Sequence, residues 1–230
     1  MANEGFTLNR LFEDSKKALF RPQAYFSSMA SEGGIGEPVV KALVYGVIAG
    51  IFVLLWSLLN VSGFTGGMFG GMVGIGGFIT SILGAVIGVF IGGLIILIIS
   101  AICGGNTDFE PNIRVAAAIM VLFPINAFLG FFDGISYALG SLISLLVNLY
   151  GIYMLYLALK GVLAAKEQTS RIVSYVLAGV MVLFLVVGLA TRSAVERATG
   201  LNEKKVEKMI QKQQQELEEI QKEMEEEGEE

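Results

Sequence analysis

The residues able to do chemistry in this chain are few. Histidine is absent and cysteine occurs once, at Cys103. That removes the commonest general base and metal ligand, and it excludes a Cys–His nucleophile. A single cysteine also excludes an internal disulfide. Asp108 and Glu110 lie close together, but they have no base, nucleophile or metal partner nearby in the sequence. No phosphate loop, metal-ligand cluster or paired carboxylate set appears, and there is no nucleic-acid signature. The expectation is a protein without catalytic residues, cofactor or metal, and hence not an enzyme.

What polar chemistry remains sits inside apolar runs. Pro124 and Asn126 fall in the third run and Asn148 in the fourth. Pro124 frees a backbone carbonyl and kinks its helix; Asn126 can bond that carbonyl or a neighbouring helix. One reading is a polar site at a broken helix, as in a small-solute transporter or channel. The other, preferred, is interhelical glue. The apolar runs carry no mid-helix Asp or Glu, which weakens a proton- or cation-coupled transporter. Lys41 and Arg114 lie near run ends, where they are read as topology anchors snorkelling to headgroups. Gly46 and Gly50, and then Gly84, Gly88 and Gly92, recur every four residues and permit close backbone approach. Packing within one chain is the preferred use, homodimerisation the sharper one. Tyr150, Tyr153 and Tyr156 share a helix face and read as interface anchors near Lys160, with a lipid or ligand groove as the alternative.

These residues must be positioned by membrane helices. Of the 230 residues, 54% are hydrophobic and 16% charged, against roughly 25% charged in a soluble domain. Residues 203–230 hold eleven Glu and five Lys, a net of −6, whereas the rest of the chain carries +1. A body so poor in charge cannot cover a soluble surface. Five apolar runs, at about 39–59, 78–102, 113–132, 136–159 and 172–190, each approach the roughly 20 residues that span a bilayer. Backbone hydrogen bonding in lipid makes them helices. The fold class is therefore all-α, a polytopic membrane helix bundle. It divides into an N-terminal amphipathic arm (1–37), a five-helix transmembrane domain (38–191) and a charged helical tail (192–230). No cleavable signal is visible, and the first span is expected to act as the targeting signal.

Between the first two runs lies VSGFTGGMFGGMVGIGG (61–77), without charge and with eight glycines. Glycine is a poor helix former, so a flexible or re-entrant loop is expected there. Polar loops are expected at 103–112 and 160–171, and a very tight one around Asp133 and Gly134. The arm mixes Phe6, Leu8, Leu11, Phe12, Leu19 and Phe20 with Arg10, Lys16, Lys17 and Arg21. It reads as a segment lying on the membrane surface or as a short helix packed against the bundle ends, interrupted at Pro22.

Basic residues mark the cytoplasmic side. The arm and the 103–114 and 160–171 regions carry them; 60–77 and 133–135 do not. Five spans with the N-terminus cytoplasmic follow. The tail opposes this scheme, because Arg192, Arg197, Lys204, Lys205 and Lys208 sit close to the last span; a sixth span through the glycine stretch would bring it inside. Along the tail, Val206, Ile210, Gln213, Leu217, Ile220 and Met224 form a heptad seam with one polar position, suited to a protein partner or to self-association. An exposed single helix is the plainer reading.

Three stretches resemble the Yip family, membrane proteins named for interaction with Ypt/Rab GTPases. They are KKALFRPQAYFSSM before the first span, CGGNTDFEPNIRVAAAIMVLFP, and NLYGIYMLYLALKGVLAAKEQTSR. The resemblance, over about residues 17–190, implies a five-helix membrane domain with a cytoplasmic N-terminus. Eukaryotic members act in vesicle trafficking and membrane shaping through small GTPases and one another. The arm lacks their Asp-Leu-Tyr-Gly-type motif and is more similar to the bacterial and archaeal branch, so GTPase binding is not carried over, and the location implied is the plasma membrane of a prokaryote. The function expected is a membrane scaffold or adaptor whose partners are the bilayer, a protein bound by the tail, and a second copy of the chain.

Overall fold

The computed structural model describes residues 8–59 and 70–199, together with Lys208, residues 211–213 and residues 215–216. Every regular element among these is an α-helix. Five helical stretches are long and apolar enough to cross a membrane: Gly36–Leu58, Gly74–Ile102, Phe109–Ile135, Tyr137–Lys160 and Glu167–Thr191. The protein is an all-α membrane bundle, and no sixth such stretch occurs among the described residues. By contacts the chain divides into two units, Met1–Leu185 and Val186–Glu230. Val206, Ile210, Leu217, Ile220 and Met224 lie outside the described residues. In the second unit Lys212 and Glu216 form an exposed i, i+4 pair at 3.7 Å.

The arm is two short helices, α1 (Leu8–Phe20) and α2 (Pro22–Ser28). The break falls where the sequence puts a proline: Arg21 leaves helical geometry, and Pro22 opens α2 at a position whose N–H would have no partner anyway. Leu11, Ala18 and Phe26 are buried, so the arm packs on the bundle.

The first span is α3 (Gly36–Leu58) and the second is α4 (Gly70–Ile102). The described part of the glycine stretch, residues 70–77, is helical and opens α4, which corrects the expected loop there. Packing overrides propensity at this point: a Cβ on Gly74 would lie 2.9 Å from Ser57 Cβ, and one on Gly77 2.6 Å from Val53 Cγ1. Further along, Gly46 and Gly50 bring α3 against α4. A Cβ on Gly46 would stand 2.8 Å from Ala85 Cβ and 3.0 Å from the Ile82 backbone.

The third span is broken into α5 (Phe109–Ile119), α6 (Leu122–Leu129) and α7 (Phe131–Ile135). It starts four residues before the expected 113, because Pro111 sits in the first turn, where a missing N–H costs nothing. The bend at Met120 and Val121 precedes Pro124. Without an N–H at Pro124, the Met120 carbonyl takes a bond from Phe123 N instead, at 2.9 Å. Beyond the bend, Trp56 Nε1 donates to Ala127 O (2.9 Å) and Phe128 O (3.1 Å), within an aromatic group that also holds Phe52 and Phe131. Trp56→Phe keeps the ring stack and loses both bonds. It is expected to lower stability by about 1 kcal/mol, read as a lower melting temperature of the detergent-purified protein.

Ser136 alone separates α7 from the fourth span, α8 (Tyr137–Lys160); the connection is tight as expected, but Asp133 and Gly134 are helical in α7 and the turn comes after them. The last span lies in α9 (Glu167–Thr199). Ser170 and Ser174 in its first turns are buried, whereas Ile172, Val176, Val180 and Leu183 are exposed. The exposed faces of α4 and α8 are likewise Ile, Leu and Tyr, the surface a lipid environment requires. Small and medium side chains fill the centre: Ala42, Val89, Ile113, Ala117, Met154 and Ala158.

Candidate functional site

Lys41 and Arg114 do not snorkel. Their side chains are only 7% and 9% exposed, and both turn into a charge cluster beneath the arm. Lys41 Nζ lies 2.8 Å from Glu37 Oε1, one helical turn earlier on α3, and 3.1 Å from Asp14 Oδ2 of α1. Arg114 Nη2 reaches Glu37 Oε2 at 2.8 Å. Its other nitrogens donate to the carbonyls of Ala30 (3.0 Å) and Gly34 (3.2 Å). The linker wraps the guanidinium by turning at Gly33 and Gly34, whose φ values of +135° and +83° favour glycine. Glu110 closes the ring by accepting from Gly34 N. Two buried cations thus share two carboxylates, which is the condition for tolerating them there. Sequence reading assigned both as anchors because two of their partners are 27 and 77 residues distant. The Glu37–Lys41 spacing of four was the available local signal.

The same arm is tied to two further helices. Ser15 and Tyr45 Oη of α3 are 2.7 Å apart, and Tyr150 of α8 donates to the Leu19 carbonyl. Phe26 is fully buried with its carbonyl against Gly161, just past α8. Burial pushes the Tyr25 phenol above its ordinary pKa, the Lys41 ammonium pulling partly the other way, so it remains protonated at neutral pH.

Beside the arm, two polar loops interlock. Asn106 N donates to Leu163 O (2.8 Å) and Lys166 N to Cys103 O (3.0 Å). Buried Ser100 and Asn112 both donate to Asn106 O, and Asn112 also donates to Asp108 O at 2.7 Å. The three sequence stretches singled out above therefore meet at one end of the bundle.

The chain between residues 16 and 190 matches the family model of the Yip1 domain. It belongs to the Yip1-domain family. No curated protein and no solved structure matches it. As a Yip1-domain protein it is an integral membrane protein, and the matched region takes in the arm from Lys16, the charge cluster apart from Asp14, and the five spans as far as residue 190.

Other residues singled out from the sequence lie apart from this end. Asn148 Nδ2 donates to Ser144 O (2.8 Å) one turn back on its own helix; no hydrogen bond joins it to Asn126. Pro124 and Asn126 lie in α6 beyond the bend. On α4, a Cβ at Gly92 would meet Ala116 at 3.5 Å and one at Gly88 would meet Met120 at 3.7 Å, while Gly84 faces open space. Tyr156 Oη lies 3.3 Å from Glu167 Oε1.

Between α1, α2 and the charge cluster is a pocket of about 420 Å³. Arg10, Asp14 and Lys17 line it from α1, at positions i, i+4 and i+7 of one helix stripe, and Arg21 lines it from the junction with α2. Glu37, Lys41 and Arg114 form its inner wall. With five cations against two carboxylates it is strongly basic, and it can hold an anion.

Proposed function

We propose that this Yip1-domain protein is a non-enzymatic membrane scaffold in the plasma membrane of a prokaryote, with the arm on the cytoplasmic side. The observation that supports this reading is the docking of the arm. Side chains from three separate spans, Tyr45, Arg114 and Tyr150, hold the segment 14–34 in one place. A surface fixed in advance spares a partner the entropy of ordering it. In the division of labour proposed, residues 1–37 supply that surface, 38–191 anchor it, and 192–230 recruit a protein or a second copy. Deleting residues 203–230 should leave insertion and the melting temperature of the membrane domain unchanged and remove a specific partner from cross-linked membranes; an unaltered partner set would refute the role given to the tail. Solute flux in proteoliposomes that Asn126→Ala and Asn148→Ala abolish would replace the scaffold with a transporter.

A further inference from the structure

We propose that the basic pocket under α1 binds a phosphate-bearing anion, supplied by the headgroup of an anionic lipid. Both carboxylates that line it are already engaged, Asp14 with Lys41 and Glu37 with Lys41 and Arg114. The inner wall is therefore nearly neutral, and the excess positive charge lies on Lys17 of α1 and on Arg21 just beyond it. The Glu13 partner of Lys17 is 3.7 Å away, with both side chains more than half exposed, a pairing that contributes little. A concavity lined by one sign of charge concentrates counter-ions, and guanidinium groups bind phosphate oxygens in a two-pronged geometry that carboxylates and phosphates share. The volume of about 420 Å³ lies within the roughly 300–1,000 Å³ of small-molecule sites.

Two features favour a lipid as the source. Helix α1 docks against Tyr45 and Tyr150, residues within the membrane-spanning α3 and α8 rather than beyond their ends. It also presents Phe12 and Phe20, 71% and 77% exposed. Aromatic side chains beside a basic face are the pattern of a helix lying at the headgroup boundary. The inference is independent of the scaffold reading and concerns residues outside the tail.

The test uses the full chain purified in a neutral maltoside detergent. Dihexanoyl phosphatidylglycerol, dihexanoyl phosphatidylcholine and glycerol 3-phosphate are titrated separately, with the melting temperature as readout. Phosphatidylglycerol should stabilise saturably. Joint replacement Lys17→Gln and Arg21→Gln should weaken its apparent affinity by on the order of 10–100-fold, whereas Lys16→Gln, off the stripe, should not. Both pocket residues are exposed, so the unliganded variants should melt with the parent, and each single variant supplies a second measurement. Equal stabilisation by phosphatidylcholine, or unchanged affinity in the joint variant, overturns the proposal. Glycerol 3-phosphate binding as tightly as the lipid supports the phosphate site and overturns the lipid as its source.

Discussion

Replacing Lys41 with methionine is expected to destabilise the protein by about 3–5 kcal/mol, the largest effect of any single polar change considered. The methionine would fill similar space, so the loss is electrostatic. Asp14 and Glu37 are about three-quarters buried and would face one another with only Arg114 left between them. Adding Asp14→Asn should restore part of the stability, because the remaining Glu37–Arg114 pair at 2.8 Å is then balanced. Lys41→Arg should not rescue, since a planar fork cannot occupy the site of a compact ammonium. Thermal unfolding of the detergent-purified variants reads the stability, and limited proteolysis between residues 29 and 36 reads release of the arm. A Lys41→Met protein that melts with the parent and keeps its arm protected would show that the cluster does not hold the arm.

Gly46→Leu should be nearly as damaging, by about 1–3 kcal/mol or more. Its new side chain meets the α4 backbone and Ala85 within 3.0 Å, which only separation of α3 and α4 would relieve. Gly84→Leu is the contrast. That residue faces open space, and its replacement should stay within about 0.5 kcal/mol of the parent. The pair separates packing within a chain from packing between chains. If light scattering shows that Gly84→Leu dissociates an oligomer without lowering the melting temperature, the α4 face joins two copies; if Gly46→Leu melts at the parental temperature, the close approach of α3 and α4 is not required.

Much of the architecture was legible because lipid imposes it. Runs of the right length had to be helices, and Pro22 and Pro124 had to interrupt theirs; the tight reversal was expected at Asp133 and Gly134 but falls at Ser136. The glycine stretch misled because propensity describes an isolated chain, while Gly74 and Gly77 are helical against the particular side chains of Ser57 and Val53. The charge cluster was hidden for a related reason. Local periodicity pairs residues three or four apart, and so it reaches Glu37 from Lys41. It does not reach Asp14 from Lys41, or Glu37 from Arg114. The sequence marked the arm as basic through Arg10, Lys16, Lys17 and Arg21 but did not show a pocket, because what Arg10, Asp14 and Lys17 face is decided by the packing of α3 and α5.

The bond from Tyr150 to the Leu19 carbonyl joins residues 131 positions apart, and this sets a timetable for biosynthesis. At roughly 5–20 residues per second, the ribosome completes the arm on the order of ten seconds before it completes the helix on which the arm rests. Through that interval the arm lacks its contact with the fourth span. Asp14 and Ser15 can meet Lys41 and Tyr45 once the first span is made, but docking is completed only when the fourth span brings Tyr150 to Leu19. A chaperone or protease that recognises the undocked arm would thereby distinguish unfinished molecules from finished ones.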